Sequence, residues 1–284
     1  MKYNNANSFK AKIKNIAKDK GIPAQQVQQN YLIEQVLRLI AQSRYNEYFI
    51  VKGGYLISNI IGIDKRTTMD LDVTLNGADL TQENLIKIFK EVLSDKEIDG
   101  FKFKIDSLAP IRRDDIYGGF EIKINAMFDT LREVVFIDVT TGDKITPKEI
   151  KYCIKSIFSD DEIHILSYNI ETAIAEKLET VLSRGIGSTR PRDRYDLFTL
   201  WKLCHWEIDI KTLSLALVNT AGKRGSMEVV KNWTVQISEV RESDYQKQLW
   251  AKYQRSFKYA SEISFEDSCK VVSEIMDLLE FSPF

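Results

Sequence analysis

Residues 52 to 73 read KGGYLISNIIGIDKRTTMDLDV, two glycines at the mouth of an apolar helix and then two aspartates with one residue between them. The run just before, YFIVK, is short and apolar, and predicts a buried strand entering the glycine pair. GGYLISNII continues as the start of a helix, and TTMDLDVTL alternates as a second strand. Strand side chains alternate between faces, so Asp70 and Asp72 share one face while Leu71 and Val73 turn to the other. Aspartate is depleted in strands and unfavourable beside a like charge, so the pair calls for a cation or a proton nearby. The glycines have a matching logic. A strand that ends in Gly53-Gly54 and opens a helix exposes unpaired backbone N–H groups, and no Cβ keeps a phosphate away. A tight strand-to-helix turn beside a solvated edge strand would read the same way, and the residues alone leave both open.

Working outward, residues 8 to 45 predict two helices broken at Gly21-Ile22-Pro23, with Val27, Tyr31, Ile33, Val36, Leu37 and Ile40 at helical spacing in the second. LTQENLIKIFKEVLSDKEI is an amphipathic helix beginning after Thr81. FKFKID, GGFEIKINAMFD and REVVFIDVTTGD alternate and are broken by Gly118-Gly119 and by Asp129-Thr130-Leu131, which predicts an antiparallel section. From about residue 167 the pattern turns helical through NIETAIAEKLETVLSR, RDRYDLFTLWKLCHW and KTLSLALVN, with a long helical tail from about 243. The break at SDDEIHILS marks the expected boundary, giving domains 1–165 and 166–284. The fold class is α+β: a mixed or antiparallel sheet with flanking helices, then an all-helical carboxy-terminal half.

Composition narrows the functional classes. The 284 residues allow one large domain or two modest ones, with 44% apolar and 29% charged residues. Forty basic against 41 acidic residues leave a net charge of -1, so no whole-molecule attraction to nucleic acid is implied. Cys153, Cys204 and Cys269 are far apart and odd in number, with no disulfide framework or zinc spacing. Without a signal peptide they fit a reducing, cytoplasmic setting. No apolar run approaches the roughly 18 residues that span a bilayer. With His164 and His205 as the sole histidines, a His-based triad or zinc site has little to work with.

The glycine turn and the carboxylates together suggest one device, in which the turn holds a triphosphate and the acids hold Mg²⁺ (or Mn²⁺) bridging its oxygens. Such a site recruits a third carboxylate from a neighbouring strand. Asp138, an acid inside the apolar run of FIDVTTGD, fits that place, and fits equally a salt bridge or a strand end. In the helical half, Lys177 lies beside the stripe of Ala173, Ile174, Leu178 and Val181, while Glu176 and Glu179 supply the solvated charges. Asp193 and Asp196, three apart at a helix start, share a face with each other, and acids there also suit the helix dipole. Arg190, Arg192 and Arg194 surround them, after a glycine-flanked loop, SRGIGSTRP, that either closes over a nucleotide or simply connects helices. Arg66 contacts phosphate or neutralises the aspartate pair, the second fitting better. Trp233, Trp250, Tyr253, Phe257 and Tyr259 interleave with basic residues, as core or as an RNA contact, and helical spacing favours core.

These motifs resemble the AbiEii/AbiGii toxin family of nucleotidyltransferases, a branch of the DNA polymerase β-like superfamily. Lys52-Gly53-Gly54, Leu56, Arg66, Thr68, Asp70, Leu71 and Asp72 stand at the matching positions, and IDVTTGD, with Thr141-Gly142-Asp143, looks like the second motif. AEKLET and RPRDRYDLF resemble the later lysine helix and R-D-x-x-D motif, and the likeness runs from about residue 30 to 205. One departure is Tyr55, where the superfamily often has a small or hydroxyl residue. The resemblance implies Mg²⁺ on Asp70, Asp72 and Asp138, with Asp70, Asp72, Lys177 and Asp193 catalytic. It implies a nucleoside triphosphate on Gly53, Gly54, Arg66, Lys177 and Arg192, with Asp143, Asp196 and Arg194 as further candidates. It also implies a toxin of a toxin–antitoxin or phage-abortive-infection pair, with a separately encoded antitoxin and tRNA or other RNA as acceptor. The rival readings are a Mg²⁺-dependent RNA nuclease, which would shorten RNA without added triphosphate, and a non-catalytic nucleotide-sensing subunit, which would bind without turnover.

Overall fold

The computed structural model describes residues 3–94, 96–111 and 118–280. The chain divides into two compact units, one of Met1–Asp143 and Glu149–Tyr168, the other of Lys144–Lys148 and Asn169–Phe284.

The first unit opens with helices α1 (Ala6–Lys20) and α2 (Ala24–Ala41). The Asn5 side chain caps α1, and Gly21, left-handed at φ 67°, stops it. There follow β1 (Phe49–Lys52), α3 (Gly53–Ile61), β2 (Asp70–Leu75) and α4 (Gln82–Leu93), then β3 (Glu97–Ile98), β4 (Phe101–Ile111), β5 (Gly119–Phe128), β6 (Leu131–Thr141), β7 (Ile150–Lys155) and β8 (Glu162–Ser167). They form one mixed sheet in the order β3-β4-β5-β6-β2-β1-β8-β7. The β4–β5–β6 section is antiparallel, as the alternating runs predict, whereas β2 lies parallel to β6 and β1 parallel to β8.

Alternation gives the sheet two unlike faces. Leu71, Val73, Ile122, Ile124, Val135, Ile137 and Val139 are buried on one. Phe9 and Tyr31 from α1 and α2 meet Phe101 and Phe128 from β4 and β5, with ring centroids 4.9 to 5.5 Å apart along the contacts Phe9–Tyr31, Phe9–Phe101, Tyr31–Phe101 and Phe101–Phe128. Such ring pairs contribute about 1 kcal/mol each beyond the area they bury. The other face carries Asp70, Asp72 and Asp138.

One stretch departs from the sequence expectation. EIHILS is strand β8, paired with β1, and the SDD before it lies in the β7–β8 hairpin turn, while the chain passes from the first unit to the second just beyond it, between Tyr168 and Asn169. The sequence hid the strand because its short run carries Glu162 and His164 on one side.

The second unit is helical: α5 (Ile170–Arg184), α6 (Pro191–Cys204), α7 (Ile210–Arg224), α8 (Met227–Lys231), α9 (Trp233–Glu242), α10 (Asp244–Ser256) and α11 (Phe265–Met276). Asn169 caps α5 and donates to the carbonyls of Thr146 (2.8 Å) and Lys148 (3.1 Å), tying residues 144–148 to this unit. The tail is two helices, not one, because a turn at Lys258–Ala260 breaks it. Trp250 and Tyr253 are buried with Tyr195 and Ala260, and Phe257 and Tyr259 pack against them, so these aromatics make core. Among the described residues, no helix is long and apolar enough to cross a membrane.

Candidate functional site

In the first unit β1 runs directly into α3, and Gly53 makes the corner at φ 65°. A Cβ there would overlap the Asp72 carboxylate, so both handedness and contact require glycine. At Gly54 a Cβ would lie 3.0 Å from Arg66 Nη2 and 3.0 Å from Thr68 Oγ1. The elbow therefore packs on the very segment that delivers the aspartates. Arg66 is buried there, its Nη1 donating to the Thr67 carbonyl. Tyr55 faces the core.

Strand register then aligns the charges. Lys52 is the partner of Asp72 across β1–β2, Asp72 of Asp138 across β2–β6, and Glu121 of Asp138 across β5–β6. Register partners project to the same face, so Glu121, Asp138, Asp72 and Lys52 form one row, with Asp70 a step along β2. The three aspartates are half-buried and Glu121 is exposed. Lys52 is 7% exposed, and its ammonium donates to Asp143 Oδ2 (2.5 Å) and Thr140 Oγ1 (2.6 Å). Thr74 and Thr140 donate to the same Asp143 oxygen at 2.5 and 3.1 Å. Asp143 is thus the counter-ion of the lysine beneath the elbow. The donor set beside Gly53 fits a hard divalent cation: three carboxylates on one face, one of them lying against the only residue type the corner admits.

The second unit holds its own cluster. Lys177 on α5 donates to Asp193 Oδ1 at 2.6 Å and pairs with Asp196 Oδ2 at 2.9 Å, both from α6. Arg190 Nε lies 3.1 Å from Asp193 Oδ2. Asp193 is 1% exposed and Asp196 0%. Burial opposes ionisation of Asp193, but the charges of Lys177, Arg190 and Arg192 outweigh it and hold its pKa at about 2. Asp193 is therefore a fixed anion and a poor proton acceptor at neutral pH.

Other sequence expectations change here. Arg194 is 1% exposed, bonded to Gln246 Oε1 at 3.0 Å and stacked on Trp250 and Phe265, so it cannot reach a phosphate from within this unit's core. Arg192 is exposed in the first turn of α6. Glu179 is buried rather than solvated and accepts from Arg224 and Ser226. The loop after α5 is fastened by Gln246, which donates to the carbonyls of Ile186 and Ser188 at 2.8 Å each, so it is a pinned connection and not a lid. Glu121 and the Lys52–Asp143 pair escaped the sequence reading. Alternation in FEIKIN places Glu121 on a polar face, but only the β5–β6 register puts it beside Asp138.

Comparison with known proteins adds the following. The model of the family "Nucleotidyl transferase AbiEii toxin, Type IV TA system" matches residues 35–271. No curated protein matches the chain. Among solved structures, a candidate nucleotidyltransferase from Helicobacter pylori is 14% identical, covering 90% of this chain and 95% of its own, with a TM-score of 0.49. The protein JHP933 from Helicobacter pylori is 15% identical, with coverages of 90% and 93% and a TM-score of 0.47. An antigenic nucleotidyltransferase-like protein from Paracoccidioides brasiliensis is 13% identical, with coverages of 70% and 90% and a TM-score of 0.43.

Proposed function

The chain belongs to the nucleotidyl transferase AbiEii toxin family of type IV toxin–antitoxin systems, and on that premise we propose that it moves a nucleoside monophosphate from a nucleoside triphosphate onto RNA, with tRNA as the acceptor. The observation that carries this is the register of Asp72 with Asp138 beside the Gly53 corner.

Asp70, Asp72 and Asp138 would hold Mg²⁺ or Mn²⁺. Neutralisation of the charge on the reacting phosphates is what such an ion supplies when bound. The chain's own groups do the positioning. Gly53 and Gly54 bring backbone N–H groups at the start of α3 within reach of phosphate oxygens. Asp193 and Asp196 fix the Lys177 ammonium as an oriented point charge for the nucleotide. Arg192, exposed at the start of α6, serves the phosphates or the acceptor backbone. Phosphoryl chemistry of this kind draws its rate mainly from positioning and charge stabilisation. The family implies a separately encoded antitoxin. We place the activity in the cytoplasm, where arrest of an infected cell would serve phage defence.

Incubation of purified protein with each α-labelled nucleoside triphosphate, Mg²⁺ and total RNA tests this. Label should enter RNA covalently, and Asp138→Asn should reduce incorporation to background while the circular dichroism spectrum stays unchanged. RNA that shortens without added triphosphate would instead assign a nuclease.

A further inference from the structure

β7 ends the sheet, and its ladder to β8 places Cys153 directly opposite His164. Glu162 lies two residues before His164 on β8, so all three side chains leave the same face of the hairpin. Their ligand atoms, a thiol sulfur, a carboxylate oxygen and an imidazole nitrogen, lie within 4.8 Å of one another. His164 Nε2 is 3.8 Å from Glu162 Oε2.

Three features set this cluster apart from an ordinary polar surface. Cysteine is among the most buried residue types, and Cys204 and Cys269 obey that rule, yet Cys153 sits half-buried among exposed charges. The donors are sulfur, nitrogen and oxygen, the mixture that zinc accepts and that Mg²⁺ does not favour. The spacing is nearly right as well. Bonds of roughly 2.0 to 2.3 Å about a tetrahedral ion put ligand atoms about 3 to 4 Å apart, a gap that rotation of two exposed side chains closes. No zinc pattern is legible along the chain because Cys153 and His164 come from opposite strands of the hairpin.

We propose that Cys153, Glu162 and His164 bind one zinc-class divalent ion as a clip across the β7–β8 hairpin. Three protein ligands leave a fourth position for water or a further donor. The clip ties the sheet's terminal strand to its neighbour and fixes the Cys153–His164 register, at an edge otherwise held by a single ladder. This site is independent of the carboxylate row, whose hard oxygen donors select a different ion.

Metal-stripped full-length protein, titrated with Co²⁺ in excess Mg²⁺, tests the assignment. One equivalent should produce a thiolate-to-cobalt charge-transfer band together with the visible absorption of a tetrahedral ion. Cys153→Ser should abolish the charge-transfer band. His164→Ala and Glu162→Gln should each weaken binding by at least about tenfold, since a lost direct ligand costs more than a lost supporting contact. Zinc added first should block the cobalt spectrum and protect Cys153 from alkylation. A wild-type titration without the sulfur band, or a band that survives Cys153→Ser, overturns the proposal. Glu162 and His164 are exposed and Cys153 is half-buried, and an unchanged circular dichroism spectrum for each of the three variants separates lost binding from lost folding.

Discussion

Asp72 and Asp138 stand side by side on parallel strands β2 and β6, the centre of a row that also contains Glu121. Like charges at adjacent strand positions repel, so this pairing sets two carboxylates against each other. Activity and stability should therefore trade against each other at this row. Asp138→Asn, which keeps shape and removes one charge, should raise unfolding stability by up to about 1 kcal/mol while transfer is lost. Urea unfolding of the variant beside wild type checks this, and a clear loss of stability would mean that Asp138 is a structural ion-pair partner instead.

Gly53→Ala should be worse than its small size suggests. The new methyl meets the Asp72 carboxylate, and the left-handed backbone adds strain of about 1 kcal/mol or more. Displacement of Asp72 should cost far more in turnover than in melting temperature. Gly54→Ala has ordinary backbone geometry and two contacts at 3.0 Å that can yield, so it should retain measurable transfer. Initial rates and thermal melts on both variants decide.

Lys52 and Asp143 should behave as one structural unit. Removing either partner leaves a largely buried charge facing hydroxyls, at a cost of roughly 3 kcal/mol. Lys52→Met with Asp143→Asn should cost clearly less than the sum of the single changes, because the second substitution removes the charge the first one stranded. A double-mutant cycle by chemical denaturation measures the coupling. Additive losses would show that the pair does not act together.

How much of this was visible in the sequence follows from what is local. The strand, corner, helix and strand of residues 49–75 were legible because apolar periodicity and glycine placement act over a few residues. Alternation also fixed which face Asp70 and Asp72 share. It cannot say which strand lies alongside, so the Glu121–Asp138–Asp72–Lys52 row and the Cys153–His164 pairing emerged only with register. Charge was misleading for the same reason. Arg194 and Glu179 look solvated by type, yet each is buried because distant residues, Trp250 and Phe265 in one case and Arg224 and Ser226 in the other, come to meet it. EIHILS is not legible as a strand because a single short strand gains its identity from β1 and β7 on either side.

Asp193 gives the helical unit an acid dependence with a definite sign. Its pKa falls from 3.8 to about 2 on folding, a difference equivalent to about 2 kcal/mol. A depressed carboxylate contributes that stability above pH 3.8 and loses it as pH falls through about 2. Unfolding stability of the wild type should therefore drop between pH 4 and pH 2 more steeply than that of Asp193→Asn. Equal slopes would remove Asp193 as the source.

Arg194 supplies the converse case, a positive charge whose removal should be harmless. Burial lowers its pKa, and its Nε and Nη2 lack hydrogen-bond partners among the described residues, so the guanidinium is incompletely compensated. Met has similar length and suits the Trp250 and Phe265 surfaces. Replacing a poorly satisfied buried charge with an apolar side chain is often neutral or stabilising by about 1 kcal/mol or more. Arg194→Met should keep its melting temperature within a few degrees or raise it, and should retain transfer activity. Arg192→Met, two residues away and exposed, should leave the melting temperature alone and raise KM for the triphosphate. If Arg194→Met loses turnover at unchanged stability, the arginine reaches the substrate after all and Arg192 is not the one that does.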